Sequence, residues 1–225
     1  MVQLQHAITE YAEQFIDETN DWYSWRTINE DILPEGVVLP EGNQYLKNIA
    51  LKSQLNQKWQ ASSSDEERAD LTKYYISDWG GIKTNGSASL AEYSTKSAEE
   101  LVLKGKKGIA SWSKAIVLHD PNKYAIFDAR VAISLNCIQI VRDLPNKLLF
   151  PILSSRNNTI GLGNQLVKSK AKQEGWSRAD ESSFYSEYLT ILTKVAKELN
   201  SDVSTVEMLL FAKAEELVKQ AFPQV

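Results

Sequence analysis

The stretch LKGKKGIASWSKAIVLHDPNKYAIFDARVAISLN, from Leu103 to Asn136, decides the fold that we predict for this chain. Gly105 and Gly108 interrupt a helical pattern of apolar residues, which is typical of a tight turn between two helices. A short connector follows the second helix, and Asp128 then stands where the N-cap of a third helix is expected. The segment therefore predicts helix, turn, helix, connector and helix in close succession.

Apolar residues recur with helical spacing along most of the remaining chain. In the first segment these residues are Leu4, Ile8, Tyr11 and Phe15. The stretch from Trp22 to Ile32 shows the same spacing. Serine followed three residues later by an acid, a signal for a helix start, occurs at Ser64, Ser89, Ser97 and Ser204. Strand signals are nearly absent, so we predict an all-α protein of roughly nine helices.

The polar stretch SSRNNTIGLGN, which begins at Ser154, indicates a long irregular loop. No repeat and no low-complexity linker divides the chain. We therefore predict a single helical domain over residues 1–225, in which the loop 144–165 is a soft boundary between two lobes.

The composition excludes several classes of protein. The chain has 225 residues and a net charge of -4, and no apolar run is long enough to cross a membrane. Cys137 is the only cysteine and the histidines are His6 and His119, which argues against disulfides and against most zinc or copper centres. The N-terminus lacks the basic region of a signal peptide. We expect a cytoplasmic protein with no membrane contact, no metal and no cofactor.

Basic residues are concentrated in two segments despite the negative total charge. Residues 96–114 contain five lysines against two glutamates, and residues 168–178 contain four basic residues against one glutamate, so each segment has a local net charge of +3. Two interpretations stay open at this point. The segments are ordinary solvated faces, or they are two contacts with a polyanion such as DNA.

The residues quoted above resemble the helix-hairpin-helix DNA glycosylase superfamily, and in particular its 8-oxoguanine DNA glycosylase-like branch. That family has a Leu-Pro-Gly-[Val/Ile]-Gly hairpin followed by a helix, a connector and an essential aspartate. Here Leu103-Lys104-Gly105 occupies the Leu-Pro-Gly place, and Asp128 lies 23 residues after Gly105. The chain departs from the family at Lys104, which replaces the proline, and in the two lysines that separate Gly105 from Gly108.

The resemblance is firm over about 35 residues and faint over roughly residues 75–220. The run SWSKAIVLHDPNKYAIFDARVA is similar to a pattern in uncharacterised bacterial proteins of this branch, and VEMLLFAKA is similar to their C-terminal helix. The resemblance implies that the hairpin and the active site lie in residues 97–136.

For DNA binding, the resemblance implies that the hairpin holds a phosphate through backbone N–H groups at Gly105 and Gly108. The lysines that would add positive charge are Lys104, Lys106 and Lys107. Arg130 either contacts a phosphate or pairs with an acid. The alternative for the hairpin is an ordinary glycine-capped turn with no ligand.

For catalysis, the resemblance implies that Asp128 stabilises the oxocarbenium ion and orients the nucleophile. The alternative is a simple N-cap, and both roles are compatible. Members with lyase activity have a lysine just after the hairpin, but Ile109 occupies that position here. Lys107 and Lys114 are the nearest candidates for a nucleophile. Without one of them, the enzyme would be monofunctional and use water with Asp128.

Trp112 is the candidate wall of a base pocket, with core packing as the alternative. The leading hypothesis is an enzyme that excises a modified or damaged base from duplex DNA, in repair or, by analogy of fold alone, in phage defence. The second hypothesis is a catalytically inactive DNA-binding or sensor protein with the same fold. The third is an all-helical protein-interaction module, which the negative net charge favours.

Overall fold

The computed structural model describes residues 2–17, 19–25 and 27–225, and it confirms the predicted all-α class. Eleven α-helices form in these residues, against roughly nine predicted. They are α1 (Val2–Ala12), α2 (Gln44–Ala61), α3 (Asp65–Lys73), α4 (Ser87–Thr95), α5 (Ala98–Val102), α6 (Ile109–His119), α7 (Ala129–Val141), α8 (Asn158–Glu174), α9 (Phe184–Glu198), α10 (Val203–Ala212) and α11 (Ala214–Ala221). Two short parallel strands, β1 (Leu148–Leu149) and β2 (Ser177–Arg178), pair with each other.

The chain divides into two compact units, and neither boundary lies in the predicted loop. One unit comprises Met1–Trp22 and Phe127–Val225, and the other comprises Tyr23–Ile126. The loop 144–165 lies inside the first unit, where hydrogen bonds attach it to α7. The side chain of Gln139 exchanges hydrogen bonds of 2.7 and 2.8 Å with the backbone of Leu148.

Helix α7 forms the centre of the first unit. It packs against α1, α8, α10 and α11, and nine of its 13 residues are buried. Helix α8 approaches α11 closely at Gly163, where an added Cβ would lie 2.8 Å from the side chain of Val218. The stretch SSRNNTIGLGN was predicted to be an irregular loop. It is partly helical, since Asn157 caps α8 within it.

Helix α6 forms the centre of the second unit, where it packs against α2, α4 and α5. Nine of its 11 residues are buried. Helix α3 continues directly into a π-helical segment, Tyr74–Trp79, which ends at Gly80. An added Cβ at Gly80 would lie 2.7 Å from the carbonyl oxygen of Ile76, so the close approach at this turn requires glycine.

Three sequence signals were interpreted wrongly. The described residues of the stretch from Trp22 to Ile32 form only a 3-10 turn, Glu30–Ile32, which the side chain of Asn29 caps. The signal at Ser89 lies inside α4, which begins at Ser87. At the third signal, Asp202 caps α10 instead of Ser204. The carboxylate of Asp202 accepts the N–H of Thr205 at 2.7 Å. The signals at Ser64 and Ser97 are confirmed.

Candidate functional site

The predicted turn between two helices forms in the second unit, between α5 and α6. Gly105 has a φ of 56° and Gly108 a φ of 72°, in the left-handed region that glycine adopts without strain. At Gly108 an added Cβ would also lie 2.7 Å from the hydroxyl oxygen of Tyr93. Both the backbone and the space therefore require glycine at this position.

Two backbone N–H groups in the turn and one in the first turn of α6 are available to a ligand. Those of Lys106, Gly108 and Ala110 make no hydrogen bond to any described residue. They lie at the N-terminus of α6, where the aligned peptide dipoles leave a partial positive charge. Lys106 and Lys107 are exposed, and within the described chain neither forms an ion pair. This geometry suits an anion such as a phosphate.

Lys104, the first lysine of the turn, is held by a neighbouring acid. Its Nζ donates to both carboxylate oxygens of Glu92, at 2.7 and 2.6 Å. Lys96 lies 3.2 Å from the same carboxylate. Hydrogen bonds from these two lysines lower the pKa of Glu92, with that from Lys104 contributing most. The positive charge of residues 96–114 is therefore partly neutralised within the chain.

Trp112 stabilises the turn through a hydrogen bond from the core of the second unit. Its indole Nε1 donates to the carbonyl oxygen of Gly105 at 3.1 Å, and its side chain has no exposed surface. Ile109, the first residue of α6, is also buried. In this structure Trp112 therefore occupies the core, and a base would reach it only after the turn had opened.

The two candidate nucleophiles lie in contrasting environments. Lys107 is exposed, whereas Lys114 is only 4% exposed and its Nζ donates to the carbonyl oxygen of Ala110 at 2.9 Å. The stem of Lys114 passes close to Gly80, where an added Cβ would lie 2.8 Å from Cε. Lys114 thus has the desolvated surroundings that a reactive amine needs, while Lys107 has the accessibility.

Asp128 belongs to the first unit and caps α7. Its Oδ1 accepts the N–H groups of Arg130 at 2.9 Å and Val131 at 3.2 Å. The side chain is half-buried, and no described residue donates a hydrogen bond to Oδ2. The N-cap interpretation is therefore confirmed, while one carboxylate oxygen stays available for another partner.

Tyr188 of α9 interacts electrostatically with Asp128. Tyr188 is fully buried, and burial together with the negative charges of Glu207 and Asp128 raises the pKa of its hydroxyl. Tyr185 contributes in the same direction. The hydroxyl of Tyr188 therefore stays protonated at neutral pH beside the carboxylate.

Arg130 pairs with an acid, which was one of its two predicted roles. Its guanidinium donates to Glu215 at 2.5 Å and lies 5.3 Å from the ring centroid of Phe211. The hydrogen bond from Arg130 is the main cause that lowers the pKa of Glu215. Arg130 thus links the starts of α7 and α11 inside the first unit.

Sequence reasoning missed the acids that engage these cations. Glu92 was interpreted as part of a helix-start signal with Ser89, although it stands twelve residues before Lys104 and pairs with it. Glu215 is 85 residues from Arg130, so no local pattern connects them. Because salt bridges between distant segments depend on the fold, only the positions of the basic residues could be predicted.

Among the described residues, no group of three or more histidine, cysteine, aspartate or glutamate side chains is arranged to hold a metal ion. Within the same residues, no helix has the length and apolar character needed to span a membrane. The chain matches no protein-family model, no curated protein and no solved structure.

Proposed function

We propose that this chain is a DNA glycosylase-like enzyme that excises a modified or damaged base from duplex DNA. The observation that carries the proposal is the turn at residues 105–108 together with the first residues of α6, which hold three unbonded N–H groups and two lysines outside any ion pair. The resemblance of residues 103–136 to helix-hairpin-helix glycosylases assigns this turn to DNA and Asp128 to base release.

The turn would hold one phosphate of the DNA backbone. The free N–H groups donate to the phosphate oxygens, and the dipole of α6 favours their negative charge. Lys106 and Lys107 add attraction that is independent of sequence and falls steeply with salt. Lys104 contributes less in this state, because Glu92 already neutralises it.

Base release requires a group that stabilises positive charge on the sugar. In the proposed reaction the bond from C1′ to the base nitrogen breaks, and its electron pair leaves with the base. A water molecule bonds to C1′ and gives its proton to Asp128, which returns a proton to the departed base. The free Oδ2 of Asp128 is suited to this task, while Oδ1 stays on the start of α7.

We propose the water route over the lysine route. In the lysine route an amine would displace the base and form a Schiff base with C1′. Ile109 stands at the family position for that lysine, and Lys114 bonds to the carbonyl of Ala110 inside the unit. Borohydride reduction of a reaction mixture separates the two routes. We expect base release without a trapped covalent complex, and a trapped complex that Lys114→Gln or Lys107→Gln abolishes would favour the lysine route.

The second candidate is a DNA-binding protein without catalysis. The buried position of Trp112 favours it, since a glycosylase must hold an extruded base against an apolar or aromatic face. The test is a panel of duplexes that each carry one modified base, including 8-oxoguanine, uracil, alkylated purines and modified cytosines. Release of one base supports the enzyme. Binding to all duplexes without release would favour the second candidate, and absence of binding at low salt would leave the interaction module.

A further inference from the structure

Two adjoining cavities lie in the second unit, away from the glycine turn. The smaller has a volume of about 210 Å³ and the larger about 590 Å³. They adjoin because Ile32, Tyr74 and Asp78 line both of them. Neither the hairpin residues nor Asp128 line them, so the proposed function makes no use of this space.

Three aromatic rings line the smaller cavity. Trp25, Tyr74 and Trp79 line it, and the π-helical segment supplies two of the three. In a π-helix, residues four apart lie nearly above one another, which places Tyr74 next to Asp78 and Tyr75 next to Trp79. The rings of Tyr75 and Trp79 stack at 4.4 Å between centroids, so the indole of Trp79 is fixed in position.

A hydrogen bond also fixes the indole of Trp79. Its Nε1 donates to the side chain of the buried Asn48 at 3.0 Å. The ring is thus held at its edge and on one face, while other parts of its surface line the cavity. A rigid aromatic wall of this kind costs little conformational entropy when a ligand binds.

Among the described residues that line the two cavities, carboxylates outnumber ammonium groups. The acids are Glu35, Glu67, Asp70 and Asp78, and the bases are Lys58 and Lys73. None of these four carboxylates forms an ion pair within the described part of the chain. Burial and the negative charge of Asp78 raise the pKa of the Tyr74 hydroxyl to about 12.

We propose that these cavities form a binding site for an organic cation, with an alkylammonium or guanidinium group against the rings of the smaller cavity and beside Asp78. Aromatic faces attract such cations through their negative quadrupole, and a carboxylate adds direct charge pairing. The surplus of carboxylates in the larger cavity attracts further positive charge on the same ligand and repels phosphate. Nucleotides and DNA strands are therefore poor ligands for this site.

The cationic group that binds here belongs either to a free polyamine or to a lysine or arginine side chain of another protein. Titrations of the full chain with spermidine and with a lysine- and arginine-rich peptide, followed by calorimetry and by tryptophan fluorescence, distinguish them. Triacetylated spermidine, AMP and a peptide with glutamine at each basic position are the uncharged or anionic controls. Saturable binding of spermidine assigns the free polyamine, and binding of the basic peptide alone assigns the protein side chain.

Two variants locate the site. Asp78→Asn removes one charge from an exposed side chain, and we expect it to weaken binding of the positive probe about fivefold. Asp65→Asn removes the same charge from an exposed position of α3 outside both cavities and should leave binding unchanged. Trp25→Phe keeps an aromatic ring and should weaken binding less than Trp25→Ala.

Three results would overturn the proposal. They are binding of neither positive probe, binding of AMP or the acetylated probe as tight as that of spermidine, and equal effects of Asp78→Asn and Asp65→Asn. Because this site and the hairpin are tested with different probes, the loss of DNA binding would leave the result unaffected.

Discussion

Lys104 and Glu92 form a two-point ion pair in which Nζ lies 2.7 and 2.6 Å from the two carboxylate oxygens. The first lysine of the turn is thus paired with an acid of α4. The turn itself presents only Lys106 and Lys107 as exposed cations outside an ion pair. DNA affinity through this turn should therefore depend on how firmly Glu92 holds Lys104.

Glu92→Gln should increase DNA affinity at low salt, because it releases Lys104 and removes one negative charge beside the turn. If Lys104 then reaches a phosphate, the slope of log affinity against log salt should steepen by about 1. Electrophoretic mobility or fluorescence anisotropy across a salt series measures both. Glu100→Gln, which removes a charge from the start of α5, is the control and should leave the slope unchanged. Equal slopes for Glu92→Gln and wild type would show that Lys104 makes no phosphate contact.

The double variant Lys106→Gln with Lys107→Gln should weaken DNA binding and reduce the salt slope by about 2. The matched control is Lys194→Gln with Lys197→Gln, which removes the same charge from two exposed positions of α9. The control should show only the small effect of a lower net charge. If both double variants weaken binding equally, the turn is no specific contact.

Gly108→Ala should destabilise the protein by about 1–3 kcal/mol, because alanine is strained at positive φ. The Cβ would also displace Tyr93, whose hydroxyl lies 2.7 Å from its position. Thermal unfolding measures the effect. Gly86→Ala is the control, since Gly86 has a φ of -72° and open space around it. A similar melting temperature for Gly108→Ala and wild type would contradict the left-handed turn.

Protonation of His119 should destabilise the protein at acidic pH. Burial lowers the pKa of His119 from its ordinary 6.5, the nearby Arg68 lowers it further, and Glu99 opposes them. The ring stacks on Trp59 at 4.6 Å, and no described residue bonds to Nε2. The unfolded chain therefore binds a proton more readily than the folded chain, so stability is complete above about pH 6.5 and declines below it.

The variant His119→Phe keeps an aromatic ring and removes the titration. Its melting temperature should change less than that of wild type between pH 7 and pH 5. His6→Gln removes a histidine whose side chain is 72% exposed, and it serves as the control. An unchanged pH dependence in His119→Phe would exclude His119 as the source.

Local signals predicted some of the helix caps correctly. Ser97 and Glu100 form the expected capping box, and Asp128 caps α7 as its position before an apolar run predicts. Asp202 caps α10 in place of Ser204 because Asp202 stands directly before the helix in an extended backbone conformation, whereas Ser204 lies inside the helix. From the sequence alone, the spacing of a serine and an acid favoured Ser204 as the cap.

Features that depend on packing escaped prediction. Gly161 and Gly163, which predicted a loop, lie inside α8, and Val218 fills the space beside Gly163. The π-helical segment follows α3 without a sequence signal, and it creates the cavity walls at Tyr74 and Trp79. For the candidate site, the turn and its glycines were predictable, whereas the burial of Trp112 and the partners of Lys104 were not.

Base release by wild type, compared with release by Asp128→Asn, shows whether Asp128 is the catalytic group. Asparagine keeps an oxygen that caps α7, so melting should stay almost unchanged, whereas the lost carboxylate should abolish release of the base. Asp202→Asn makes the same change at the cap of α10 and should preserve full activity. Release by wild type and Asp202→Asn alone is the result that we predict. Equal release by Asp128→Asn, or no release by folded wild type from any duplex, would rule out base excision through Asp128.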